Sequence, residues 1–187
     1  MFRTAIIFLI FNFNSAALSF EKEKIISRMQ LINNLSFNFI QKIDDKNEHG
    51  KCIIEFPKKI YCEYNGAKKK IIVSNGKSLV IKNTNGRGYY FYPLKRTPLE
   101  YILDKKYLIS KMTTIEPREV DNKYLSFKIL EDNNGVNIFV DNKNLNLIGW
   151  QTEDIYQNLT ITFISYVKIN QVIDKKKFIL PERSENN

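Results

Sequence analysis

Hydrophobic positions recur along this chain in two rhythms, and the change between them falls close to Asn34. From Phe20 to Asn33 the period is helical: Ile25, Met29 and Ile32 lie at i, i+4 and i+7, with Ile26 beside them and charge opposite. Beyond that point the period is two. Leu35, Phe37 and Phe39 alternate with Ser36 and Asn38. Cys52, Ile54 and Phe56 alternate with Lys51 and Glu55, and Ile60, Cys62 and Tyr64 follow the same rule. Further alternating runs contain Leu79 and Ile81; Leu125, Phe127 and Ile129; and Leu159, Ile161 and Phe163. Turn signals separate them at Asn47 to Gly50, Pro57 to Lys59, Asn65-Gly66, Asn75-Gly76, Asn85-Gly86, Asn133 to Gly135 and Asp141-Asn142. Such a series predicts an antiparallel meander of about nine to eleven strands, apolar on one face and wet on the other.

One segment breaks the rhythm. Pro98 to Leu103 has helical spacing, with Thr97 placed as N-cap and Pro98 at the first helical position. The predicted fold class is therefore α+β and mostly β. A strongly curved antiparallel sheet with helices covering its concave face is the economical way to shield a single apolar face. Pattern alone leaves open whether that face is a filled core or the wall of a cavity.

The first twenty residues change the picture of compartment. Arg3 precedes an apolar run from Thr4 to Phe11, and small residues follow at Ser15, Ala16, Ala17 and Ser19. This is the layout of a secretory signal peptide, and the run is far shorter than the roughly 20 residues that span a bilayer. Residues 1–19 are expected to be a signal peptide cut after Ser19, leaving 20–187 as one domain. The whole chain carries +9, and without Arg3 it keeps 28 basic side chains against 20 acidic ones. With 13 Phe and 10 Tyr, that charge would suit a nucleic-acid partner, but export points instead to an anionic membrane or an acidic protein. The same oxidising compartment would favour a disulfide between Cys52 and Cys62. If Phe56 pairs with Ile60, however, the two cysteines are only diagonal neighbours, which favours two buried thiols.

Catalytic chemistry is hard to assemble. His49 is the single histidine and sits beside Gly50 in a predicted turn, so no nucleophile-base pair can be built around it. Gly86-Arg87-Gly88 lacks the third glycine and the helix of a dinucleotide loop. Asp44, Asp45 and Asp104 lack the spacing of a calcium loop. Lys68 to Lys70 and Lys175 to Lys177 read as solvated strand ends. The expectation is a protein with no catalytic residues, no metal and no cofactor.

Several segments resemble a known family in order along the chain. Phe39-Ile40-Gln41-Lys42 after an amphipathic helix is similar to the F-x-Q strand of LolA, the outer-membrane lipoprotein carriers. Gly50 with Cys52 to Pro57 and Ile60 to Tyr64 resembles the first hairpin of that family. Ile71 to Leu79 resembles its I-x-V-S-D-G-x-x-L hairpin. Tyr92-Pro93-Leu94, Thr97-Pro98-Leu99 and Ile102-Leu103 look like a segment of its alphaproteobacterial members. Leu147 to Trp150 and Ile173-Asp174 with Phe178 also fit.

The resemblance implies an unclosed half-barrel whose cavity shelters the acyl chains of a lipoprotein in the periplasm. It implies lipidated outer-membrane proteins as cargo, an inner-membrane lipoprotein-releasing ABC transporter as donor, and an outer-membrane receptor or the membrane itself as acceptor. The carrier is expected to be monomeric. The implied cavity wall consists of Leu35, Phe37, Phe39, Cys52, Ile54, Phe56, Ile60, Cys62, Tyr64, Leu79, Ile81 and Phe91. Leu99, Ile102 and Leu103 would form the apolar side of a lid. Phe56 stands where the family usually carries an arginine that bonds to the lid, so lid closure here is expected to rest on apolar contact. Two other readings stay open, an exported half-barrel sensor that binds a protein and a small exported esterase.

Overall fold

The computed structural model describes residues 14–66, 69–83, 89–131, 134–153 and 159–181. Helix α1 (Asn14–Leu31) leads into β1 (Asn34–Ile43), β2 (Lys46–Glu55), β3 (Lys59–Asn65), β4 (Lys70–Asn75), β5 (Ser78–Asn83) and β6 (Tyr89–Pro93). A 3-10 turn at Leu94–Arg96, α2 (Leu99–Ile102) and α3 (Lys105–Thr114) follow. The chain then returns through β7 (Arg118–Val120), β8 (Tyr124–Glu131), β9 (Asn134–Asp141), β10 (Leu147–Glu153) and β11 (Leu159–Ile169) to a 3-10 turn at Lys175–Phe178.

All eleven strands join one antiparallel sheet in the order β6-β5-β4-β3-β2-β1-β11-β10-β9-β8-β7. Two meanders meet at the central β1–β11 pair, and β6 and β7 stay apart as edges. This is the antiparallel sheet that the alternating pattern predicts and the unclosed α+β half-barrel that the resemblance implies, with its helices on the apolar face. Leu35, Phe37 and Phe39 of β1 are buried in one cluster with Leu125, Phe127 and Ile129 of β8, and with Ile25 and Ile26 of α1.

Two glycines permit the close strand contacts. A Cβ on Gly50 would lie 2.1 Å from the Glu63 carbonyl oxygen and 2.9 Å from the Phe39 ring. Its absence lets Phe39 and Tyr64 meet edge to face across it, with centroids 4.8 Å apart. A Cβ on Gly149 would lie 2.2 Å from the Thr162 carbonyl oxygen. Over that glycine Phe139 of β9 and Phe163 of β11 stack on the convex face, 6.1 Å apart.

Helices α1 and α3 run antiparallel and each holds the other's C-terminal end. Lys105 Nζ donates to the carbonyls of Gln30 (3.0 Å) and Ile32 (2.7 Å), while Lys22 Nζ reaches Thr113 and Ile115 carbonyls (3.5 Å) and pairs with Glu116. Cations there satisfy carbonyls that have no partner within the helix and complement its negative end.

Several local expectations are corrected. The first hairpin turns at Asp44-Asp45, so Asn47 to Gly50, including His49, lie within β2. Thr97 does not cap α2; its hydroxyl donates back to the Leu94 carbonyl at 2.8 Å. Helix α3 was not expected. Its signals are Asp104, whose carboxylate accepts from the Tyr107 N–H at 3.1 Å, and the buried pair Leu108 and Met112 at i, i+4. The turns at Asn85-Gly86 and Asn133, and Lys68 of the first lysine run, lie outside the described residues.

Candidate functional site: an apolar cavity beneath a latched lid

The inner side of β1 to β5 faces α2 across a cavity of about 270 Å³. Eight of the fifteen residues expected at the site line it: Phe39, Cys52, Ile60, Cys62, Tyr64, Leu79, Ile81 and, from the lid, Leu99. Phe37, Ile54, Ile102 and Leu103 are buried in the core cluster instead. Leu35 lines a second cleft described below. Phe56 is half-buried against the core, with Lys105 Nζ 5.8 Å from its ring centroid.

Phe91 is a correction. Leu79 pairs with Tyr92 and Ile81 with Tyr90, so those tyrosines share the inner parity, whereas Phe91 pairs with Val80 on the convex face. Val80 and its partner Val73 are buried outside the main core cluster. Nearby on that face, the C-terminal segment packs Phe178 against β3 and β4, with Lys59 Nζ 5.9 Å from its ring.

The cysteines are also corrected. Cys52 and Cys62 stand directly opposite in the β2–β3 ladder, 4.1 Å apart at Cα, and are joined as a disulfide. Ile54 pairs with Ile60, one pair along from the register that left the thiols free. The bridge forms part of the cavity floor.

One wall carries a polar strip that the pattern did not single out. Tyr64 Oη donates to Gln41 Oε1 (3.0 Å), and Gln41 Nε2 donates to Thr162 Oγ1 (3.1 Å). Lys70 Nζ sits 3.9 Å over the Tyr64 ring and pairs with Glu48 at 2.6 Å. Burial, and then the charge of Glu48, push the Tyr64 hydroxyl well above the usual phenol range, so it remains a donor. Gln41 is the polar residue of the Phe-x-Gln segment, and its wedged position between two partners fixes the strip.

The lid is held by charge as well as by apolar contact. Lys58, at the tip of the β2–β3 hairpin, places Nζ 2.5 Å from Glu100 Oε1 in α2 and 3.1 Å from Asp104 Oδ2 at the start of α3. Its backbone N–H donates to the Leu103 carbonyl at 2.8 Å. The hydrogen bond to Glu100, opposed by burial and reinforced by Asp104, raises the Lys58 ammonium above the ordinary lysine range. The expectation of purely apolar closure at Phe56 therefore gives way to a cation two residues later in the hairpin.

A larger cleft of about 540 Å³ lies between the C-terminal half of α1 and β9 to β11, lined by Ile25, Met29, Leu35, Val140, Leu147 and Ile164 among others. A bulge in β11 shapes it: Ser36 pairs with Lys168 but Asn38 with Ser165, and this shift turns Val167 and Ile169 toward the cleft. The charged side chain is Lys70 in the lining of the first space and Arg28 in that of the second, among the described residues. No group of His, Cys, Asp or Glu suited to a metal occurs among the described residues. Among those residues, too, no helix is long and apolar enough to cross a membrane.

A sheet with helices over an apolar hollow defines the half-barrel class of fold. Residues 30–180 match the family described as outer membrane lipoprotein carrier protein LolA, and the chain belongs to that family. No curated protein matches the sequence. Solved structures with similar folds include the LolA superfamily protein NE2245 from Nitrosomonas europaea (9% identity, 85% of this chain and 97% of that one, TM-score 0.47). LprF from Mycobacterium bovis is 11% identical over 84% of this chain and 95% of its own, with a TM-score of 0.49. The lipoprotein LppX from Mycobacterium tuberculosis is 10% identical over 86% and 99%, with a TM-score of 0.46.

Proposed function

We propose that this protein is a periplasmic carrier that shelters the acyl chains of lipidated proteins between the inner and outer membranes. The observation that carries this reading is the apolar cavity between the sheet and a small, charge-latched lid. A cavity of about 270 Å³ is just below the size of most ligand sites, which run from about 300 to 1,000 Å³. Taking a methylene as similar in volume to a water's share of the liquid, about 30 Å³, it admits roughly nine. Burying those contributes about 7 kcal/mol at about 0.8 kcal/mol each. A multiply acylated N-terminus needs more room, so loading displaces α2, fills the second cleft, or both. The polar strip at Tyr64, Gln41 and Thr162 satisfies its own hydrogen bonds, so it lies beside an acyl chain without leaving the Tyr64 hydroxyl or the Gln41 carbonyl unpaired.

In this reading residues 1–19 direct export and are removed. An inner-membrane ABC transporter loads the carrier, and an outer-membrane receptor or the membrane receives the cargo. The protein acts as a monomer and catalyses nothing. A fluorescent fatty-acid probe titrated into the protein tests the site. One saturable binding event is expected, lost in Ile81→Asp and Leu99→Asp variants that keep the wild-type circular dichroism. Absence of saturable binding, or folded variants that bind like wild type, would overturn the assignment.

A further inference from the structure

The second cleft opens at a corner of the molecule where aliphatic side chains face water on a rigid frame. Leu31 at the end of α1 is 72% exposed, Ile169 at the end of β11 is 49% exposed, and Val172 is fully exposed. Leu31 and Ile169 also line the cleft, so the exposed rim is continuous with its apolar interior. The segment 170–171, which leads into Val172, is tied by hydrogen bonds to the 31–34 turn that follows α1. Asn170 Nδ2 donates to the Leu31 carbonyl (2.9 Å), Asn170 Oδ1 accepts from the Asn33 N–H (2.7 Å), and the Gln171 N–H donates to Asn34 Oδ1 (2.9 Å). Three large aliphatic side chains displayed on a fixed turn form a patch of the kind that marks an interaction site.

Charge identifies the occupant. Arg28 lines the cleft and donates to the carbonyl of Asn144, another lining residue, and Lys143 precedes Asn144. Among the described residues neither of these two has a carboxylate partner. No carboxylate lines the cleft, where Arg28 is the one charged side chain among the described residues. Exposed aliphatic tips beside a cleft whose charged lining is a cation match the layered chemistry of an anionic bilayer, where acyl chains lie beneath phosphate headgroups.

We propose that the corner formed by Leu31, Ile169 and Val172 docks on an anionic membrane surface and serves as the portal between bilayer and cleft. Docked there, an acyl chain passes from the bilayer into the 540 Å³ cleft without crossing water. The passage of chains rests on the carrier reading above; the docking itself does not.

Vesicle flotation of the intact protein separates the two. The protein should bind phosphatidylglycerol-containing vesicles about tenfold more tightly than phosphatidylcholine vesicles, and added salt should weaken it. Leu31→Asp combined with Val172→Asp should weaken that binding about tenfold, because both side chains are exposed and would enter the interface. Ile40→Asp, a change at a 60% exposed position on the convex face, should leave it unchanged. No binding to anionic vesicles, or equal loss in the Ile40 variant, would overturn the proposal. Lost transfer without any vesicle binding would assign the corner to a protein partner and overturn it too. The fatty-acid titration is independent: saturable uptake without vesicle binding sinks the portal alone, and vesicle binding without uptake sinks the carrier reading.

Discussion

Replacing Lys58 with methionine removes the lid's ionic latch while leaving its backbone tie in place. Lys58 adopts a φ of 65°, and methionine has the same Cβ, so the change adds no backbone strain that lysine does not already carry. The Lys58 N–H still reaches the Leu103 carbonyl. Two contacts are lost, at 2.5 and 3.1 Å, and Glu100 and Asp104 are left facing the hairpin without their counter-ion. The three side chains are between 22% and 29% exposed. Fully exposed pairs contribute about 0.2–1 kcal/mol, whereas hydrogen bonds to charged groups contribute about 1.5–3 kcal/mol. A latch of intermediate exposure is therefore worth about 1–2 kcal/mol, which corresponds to a roughly 5–30-fold rise in the open-lid population. Amide hydrogen exchange reads this locally. The Leu103 and Leu108 amides, bonded to the Leu99 and Asp104 carbonyls, should exchange faster by about that factor, while β1 and β11 amides stay as they were. Unchanged lid exchange, or equal acceleration in every strand, would refute the latch.

Three further outcomes follow from single features. The Cys52–Cys62 bridge spans ten positions, so its reduction should cost about 2–3 kcal/mol by the chain-entropy estimate, and denatured, unreduced protein should show no reactive thiol. Gly149→Ala would force β10 and β11 apart and should destabilise the protein by about 1–3 kcal/mol, measured by denaturant unfolding. Stability should also decline in alkali. The Lys58 value is raised on folding, so its contribution is complete below pH 10.5 and is lost as pH climbs through the higher folded value. Burial, and then its bond to Glu63, push the Tyr61 hydroxyl up to about 12, so ionising it above pH 10 opposes folding in the same direction. A melting temperature that stays flat above pH 10.5 would contradict both.

The sheet was legible because period-two alternation survives wherever one face is wet. Leu35-Phe37-Phe39 and Leu125-Phe127-Ile129 are buried as that pattern requires. The β2–β3 register was not legible for the same reason. Pairing Ile60 with Phe56 or with Ile54 keeps every side chain on its own face, so a period of two cannot tell the registers apart, and the disulfide hung on that choice. Phe91 was misplaced because Tyr89 to Tyr92 is aromatic at every position and carries no alternation. The latch joins Lys58 to Glu100, 42 positions away, and only the folded chain brings them together. The second cleft depends on the β11 bulge, which breaks the very alternation used to find strands.

The central claim is that acyl chains, and not the protein attached to them, are what this molecule holds. Mixing it with an acylated lipopeptide and with the same peptide lacking its acyl chains tests that most directly, with complexes counted by native mass spectrometry. A one-to-one complex is expected with the acylated peptide, weakened in Ile81→Asp, and none with the bare peptide. Equal binding of both peptides, or of neither, would contradict it.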